Sequence, residues 1–298
     1  MEKLSQTNLV KNDSLKKALE EKYSKFGPNV ISQCKKLGLS DEDILNNADK
    51  INDWVSDRVY CHNCPGLKNC KKANPHVISD LKYENGFLSR VLSPCKLILE
   101  KIKFEKLFIV RDFPQEWLEE SIQTADHEFI ERKKIFAEFL DSITSNKDKW
   151  FFITGTQNTG KSYVAAMMAN EIARRDLGEV CYINTASRFR QLMDYSTKKN
   201  DLFYTVLNYY STCKLLVLDD FGNEYKNDFV RDSILYEILS KRSKNNLTTI
   251  FTSDFKIKEI EVMYGKDNAS MIRARQITRI LNLKCGKEFS LGEVPAYQ

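Results

Sequence analysis

The 298-residue sequence predicts an α/β fold, a parallel sheet with helices on both faces, preceded by a small helical module that is rich in cysteine. Three observations predict it. From Trp150 onward, short apolar segments alternate with helix-length ones, as in a parallel sheet covered on both sides. A complete G-x-x-x-x-G-K-S phosphate-loop pattern lies between the first of these strands and the first helix. Ahead of both, Cys61, Cys64, Cys70 and Cys95 fall in one short stretch, whereas Cys34, Cys181, Cys213 and Cys285 are isolated.

Composition bounds the reading. At ~150 residues per domain the chain holds about two domains. With 42% hydrophobic and 29% charged residues it lies far from the signature of disorder, and 11 Gly and 6 Pro exclude a collagen-like or linker-like chain. The longest uninterrupted apolar run is the seven residues from Tyr163 to Ala169, where a membrane-spanning helix needs about 20. The start Met1-Glu2-Lys3-Leu4-Ser5 lacks the apolar core of a secretory signal, so a cytoplasmic protein without disulfides and without a membrane partner is expected. The net charge of +5 (46 − 41) is only a weak pointer to polyanions.

In chain order, Leu19, Tyr23, Phe26, Val30, Ile31, Cys34, Leu37 and Leu39 recur at helical spacing, with Pro28 separating two helices. Ser40 before Asp41-Glu42-Asp43 is a helix start. The hook Cys61-His62-Asn63-Cys64, followed by Cys70, His76 and Cys95, offers five or six N/S donors for the four places of a tetrahedral, structural Zn²⁺ site. Residues 97–110 read as one or two strands, Arg111-Asp112-Phe113-Pro114 breaks the pattern, and residues 115–140 form a long helix-prone run. The expected domains are therefore residues 1–110, a helical connection at 111–145, and residues 146–298.

In the last of these, strands are expected at 150–154, 180–184, 215–218 and 248–252, with helices at 163–175 and 229–243. In Gly155-Thr156-Gln157-Asn158-Thr159-Gly160-Lys161-Ser162 the glycines let backbone N–H groups converge on phosphate oxygens at a helix N-terminus. Lys161 is the cation for the β/γ-phosphates of ATP, and Ser162 a ligand for Mg²⁺. The strand Leu215-Leu216-Val217-Leu218 ends in Asp219 and Asp220: Asp219 is expected to hold Mg²⁺, and Asp220 to orient or deprotonate the attacking water. Asp254 stands at the tip of the following strand, at the place of a γ-phosphate sensor. Near the C-terminus, Arg273, Arg275 and Arg279 are open to three uses: sensing the nucleotide, reaching a neighbouring subunit's nucleotide, or holding DNA phosphates.

The stretch Phe152-Ile153-Thr154-Gly155 through Ala169-Asn170-Glu171, then Leu218-Asp219-Asp220-Phe221-Gly222, Phe229-Val230-Arg231-Asp232 and Phe251-Thr252-Ser253-Asp254-Phe255, resembles the bacterial helicase-loader ATPases of the AAA+ class. The resemblance covers residues 150–286 strongly and the cysteine-rich module more loosely. It implies a protein that binds the replicative DNA helicase hexamer through its N-terminal module and delivers it to single-stranded DNA, alongside other primosome proteins, with a homo-oligomer forming on the helicase. It also implies zinc held by three Cys and one His, which map to Cys61, Cys64, His76 and Cys95, with Cys70 as the competing ligand. The sequence departs from the family at Asp254, where Asn is usual, and carries Asp220 where most AAA+ enzymes have Glu; slow, switch-like hydrolysis is the expectation. The trans-acting arginine has three candidates, Arg231, Arg242 and Arg273. A transposition helper ATPase, or an ATP-controlled zinc-containing DNA-binding regulator, are the competing functions.

Overall fold

Pro28 opens helix α1 (Pro28–Lys36), where its missing N–H costs nothing because first-turn donors have no partner inside the helix. The computed structural model describes residues 17, 21, 24–125, 130–145, 147 and 149–292; Leu19 and Tyr23 lie outside them. Helix α2 (Asp41–Asn46) starts as expected: Ser40 Oγ accepts the Asp43 N–H at 3.1 Å and the Asp43 carboxylate accepts the Ser40 N–H at 3.0 Å. Helix α3 (Ala48–His62) follows. The hairpin of β1 (Val77–Glu84) and β2 (Phe87–Pro94) comes next, turning at Asn85 and Gly86 with φ of 51° and 79°. Asn-Gly at a two-residue loop is the turn that matches strand twist, a signal the reading above passed over. Cys34, Ile44, Ala48, Ile51, Trp54, Leu81 and Leu88 form the core of this part.

The chain divides into two units, Met1–Lys103 and Phe104–Gln298. Residues 97–110 differ from the expected strands. Helix α4 (Lys96–Lys106) occupies most of them, since Leu99 and Ile102 recur at helical spacing among Lys and Glu. Only β3 (Phe108–Arg111) is extended, and it joins the sheet of the second unit beside the strand Val180–Asn184. The expected connection is part of that unit too. It contains a 3₁₀ turn (Gln115–Glu119) and helix α5 (Ile130–Thr144), and Phe113, Leu118, Ile135, Phe136 and Phe139 enter its core.

After these come β4 (Phe151–Thr154), α6 (Lys161–Arg174), β5 (Val180–Asn184), α7 (Thr185–Lys198) and α8 (Asn200–Thr212). Next are β6 (Leu215–Asp219), a π-helical turn (Val230–Leu235) running into α9 (Tyr236–Lys244), and β7 (Thr248–Ser253). Helices α10 (Ile257–Tyr264) and α11 (Asn268–Cys285) and the short β8 (Glu288–Ser290) complete the unit. The six strands run parallel in the order β3-β5-β6-β7-β4-β8. Alternate side chains feed opposite faces: Phe152, Ile183, Leu216, Leu218 and Phe251 pack into one core, and Phe151, Ile153, Tyr182, Val217 and Ile250 into the other. Each fully buried Phe, Leu or Ile contributes about 1.5–3 kcal/mol. Only a sheet covered on both faces gains that from consecutive residues. The strand ends carrying Gly155, Asp219 and Asp254 lie along one edge of this sheet, as parallel order requires.

Candidate nucleotide site

The phosphate loop leaves β4 and enters α6. Gly160, with φ of 85°, takes the left-handed turn that aims the start of α6 at the loop's hollow. A Cβ on Gly155 would stand 2.8 Å from Thr159 Oγ1 and 3.2 Å from the Gly292 carbonyl, so only glycine fits there. Thr159 Oγ1 donates to the Thr156 carbonyl at 2.9 Å and shapes the loop from inside. Lys161 is buried, its Nζ donating to the carbonyls of Gly155 (2.9 Å) and Thr156 (2.8 Å) and pairing with Asp254 Oδ1 at 2.9 Å.

The acidic wall stands across from it. Asp219 ends β6, accepting a hydrogen bond from Thr252 Oγ1 at 2.5 Å. Burial pushes its carboxyl above the ordinary range, against the hydrogen bonds of Thr252 and Ser162, and nearby Asp220 adds to the rise. Ser162 in the first turn of α6 and Asp219 at the end of β6 are the two groups that a shared metal would use. Asp220 sits in the left-handed region (φ 55°), its carboxylate accepting from Asn184 Nδ2 at 3.1 Å and its N–H donating to Thr252 Oγ1 at 3.0 Å. A strained non-glycine residue is the mark of a position fixed by its surroundings.

A cavity of 380 Å³ joins the two walls, lined by Gln157, Asn158, Gly160, Lys161, Ser162, Asp220 and Asp254, together with Trp117, Tyr163 and Asn223. The last three escaped sequence reading. Tyr163 adjoins the motif and Asn223 follows Gly222, but nothing local marks Trp117. It reaches the cavity because Asn170 Nδ2 of α6 donates to its carbonyl at 2.6 Å, and its ring meets Tyr163 edge-on at 5.4 Å.

The arginines are dispersed. Arg279 is exposed on α11 and is not among the residues lining this cavity, and Arg275, also exposed, pairs with Glu261 at 3.5 Å. Arg231 is held by Asp228 (2.8 Å) and Asp232 (2.7 Å), while Arg273 pairs with Asp232 at 3.3 Å and covers the Tyr236 ring at 3.9 Å. Arg242 is fully buried. It donates to Thr249 Oγ1 at 2.9 Å and to the carbonyls of Tyr210 (3.0 Å), Cys213 (2.9 Å) and Thr248 (2.5 Å), so it has no reach to a neighbouring subunit.

In the first unit, Cys61 lies in the last turn of α3, 3.7 Å from the buried Lys72 ammonium, which also pairs with Asp57 at 2.8 Å. Cys64 is exposed. His76 has φ of 65° and a ring Nε2 2.8 Å from the Leu67 carbonyl, and its own carbonyl accepts the Cys95 N–H at 2.8 Å. Backbone N–H groups of His76 and Lys72 lower the Cys70 thiol's pKa. The donor set is zinc chemistry, yet among the described residues no three His, Cys, Asp or Glu stand together as a metal group. Among the described residues, too, no helix is long and apolar enough to cross a membrane.

Comparison with known proteins places this geometry. The family model described as IstB-like ATP binding protein matches residues 80–281. The chain is similar to the replicative helicase loader DnaI of Bacillus subtilis (strain 168), 24% identical over 257 residues, 80% of this chain and 80% of the relative. The crystal structure of DnaI shares the fold with a TM-score of 0.55 and 24% identity, covering 63% of this chain and 98% of that one. A DnaC helicase loader structure matches more weakly, with a TM-score of 0.46 and 18% identity over 61% of this chain and 100% of that one.

Proposed function

The chain belongs to the family of IstB-like ATP binding proteins and is a P-loop ATPase, and from that premise we propose that it loads the replicative DNA helicase onto single-stranded DNA. The observation that carries the proposal is the likeness to a replicative helicase loader over 80% of each chain, which extends beyond the ATP-binding unit into the residues ahead of it. In this reading the first unit, cysteine-rich and outside the nucleotide site, takes the helicase, and the second binds ATP and single-stranded DNA. A role in replication implies a cytoplasmic protein that assembles with other primosome proteins and forms a homo-oligomer on the helicase.

The residues divide the chemistry between them. Gly155 to Ser162 and Lys161 Nζ hold the phosphates. Asp220, fixed by Asn184 and Thr252, is the group that orients the attacking water and takes its proton. Mg²⁺, when bound, would be held by Ser162 and Asp219 and would neutralise charge on the β- and γ-phosphates. Zn²⁺ would be held by Cys61, Cys64, His76 and Cys95, with Cys70 as the competing ligand, and would staple the first unit without chemistry of its own. Hydrolysis is slow because Asp254 replaces the usual polarising amide, so ATP serves as a switch.

The test is capture of the host's purified replicative helicase by the full chain, with and without ATP. Helicase retention, followed by helicase transfer to single-stranded DNA, is expected. Failure to retain helicase, combined with retention of a transposase in a parallel capture, would replace this reading with the transposition helper that the family name also suits.

A further inference from the structure

The phosphate-loop lysine is already fully employed. An ammonium has three protons, and the three polar groups on Lys161 Nζ use them all: the Gly155 carbonyl at 2.9 Å, the Thr156 carbonyl at 2.8 Å and Asp254 Oδ1 at 2.9 Å. The lysine side chain is 5% exposed and that of Asp254 23%, so the pair is screened by little water. Asp254 is also not on a loose tip. The residue before it, the fully buried Ser253, donates through Oγ to the Phe221 carbonyl at 2.6 Å and accepts the Phe255 N–H at 3.0 Å, which ties the end of β7 to the loop after β6. Both members of the pair line the 380 Å³ cavity, and Asp220 lines it as well.

We propose that Asp254 is a specificity-determining residue that competes with the nucleotide's terminal phosphate for Lys161 and thereby sets the preference between ATP and ADP. The inference rests on the nucleotide reading of this site. Two effects act in the same direction. Bound phosphate must take Lys161 away from a carboxylate already in hydrogen-bond contact, so part of the gain from phosphate contact is lost in parting the pair. The displaced carboxylate then remains beside the phosphate end of the cavity and repels a charge that is larger in ATP than in ADP. An amide at the same position would keep a donor for the γ-phosphate and would carry no charge. The penalty is therefore greater for the triphosphate, and the site senses the energy charge of its surroundings more gently than an amide-bearing site would.

The experiment is calorimetric titration of the full chain with Mg²⁺–ATP and Mg²⁺–ADP, comparing the unaltered protein with Asp254→Asn, and with Asp254→Ser as a second neutral variant. Both variants are expected to bind ATP about tenfold more tightly and ADP only about twofold more tightly, a change in the ATP:ADP ratio that loss of packing alone would not produce. In parallel, the nucleotide-free melting temperature is expected to fall, because the buried pair is gone, while the ATP-bound one rises. An unchanged ATP:ADP ratio in folded Asp254→Asn and Asp254→Ser, with binding still abolished by Lys161→Ala, would overturn the proposal and leave the nucleotide site standing. An unaltered protein that binds neither nucleotide would overturn both.

Discussion

The phosphate loop and the cysteine-rich stretch each gather a handful of functional side chains, but they are assembled by opposite means. The loop is continuous in sequence, and its geometry is imposed by elements that would exist without a ligand. A buried strand delivers Gly155, a helix receives Lys161, and the neighbouring strand ends supply Asp219 and Asp254 at the same sheet edge. The donors of the cysteine-rich stretch come from the end of a helix (Cys61), the loop after it (Cys64 and Cys70) and the two ends of a hairpin (His76 and Cys95), and of these the sheet holds only His76 and Cys95 in mutual register. In the first case the fold makes the site. In the second, on the proposed zinc reading, an ion would contribute to making it, since metal affinity would then also be folding free energy.

Zinc content gives the largest expected effect and the sharpest break in this comparison. Purified without chelator, the protein should carry one zinc per chain, and Cys61→Ser or Cys64→Ser should lose it while ATP binding survives. Metal analysis showing no zinc in unaltered protein would remove the contrast. Next is Lys161→Ala, which should weaken nucleotide binding ~100-fold, the scale of a charge-assisted contact of about 3 kcal/mol, without changing zinc content. Retained affinity would show that the loop does not hold the phosphates.

Arg242→Ala should cost about 3 kcal/mol in urea unfolding of the second unit, because it strands the carbonyls of Tyr210, Cys213 and Thr248 in a dry core. A loss under about 1 kcal/mol would mean that the carbonyls find other donors. The smallest effect concerns Asp219. Its carboxyl pKa is raised in the fold by burial, so ionising it as pH climbs from the ordinary carboxylate range toward neutrality reduces stability. Asp219→Asn should therefore raise the melting temperature of the nucleotide-free protein at pH 7 by a few degrees, with the gain fading at acid pH, while weakening Mg²⁺-dependent ATP binding. A variant less stable than the parent at pH 7 would place the importance of Asp219 in its hydrogen bonds to Thr252 and Ser162.

What the sequence made legible follows the same division. Strand ends and the loop were readable because buried parallel strands are short apolar runs and the loop's chemistry is contiguous. The Ser40 cap was readable because its partner lies three residues away. Within the strand-like stretch 97–110 only β3 is extended, the rest being helical, and the edge strand β8 was not readable, since three residues carry too little periodicity to count as a strand until a neighbour pairs with them. Trp117 was invisible for a related reason: it owes its place in the cavity to Asn170, 53 residues later. Arg242 stood among the candidates for a trans-acting arginine, and only the fold shows it satisfied entirely by backbone and hydroxyl oxygens and by the Cys213 sulfur at 3.5 Å.

The position of β4 within the sheet bears on how the protein is born. Its two partners are β7 and β8, which end at Ser253 and Ser290, so neither exists when the ribosome has made the phosphate loop. Until then β4 is an unpaired apolar strand, the kind of segment that invites pairing with another chain. The Leu291 N–H closes onto the Thr154 carbonyl at 2.8 Å only after β8 has arrived. A nascent chain therefore acquires a working nucleotide site late, only once β8 has been made, and chains cut short before residue 288 should accumulate in aggregates and not as ATP-binding fragments.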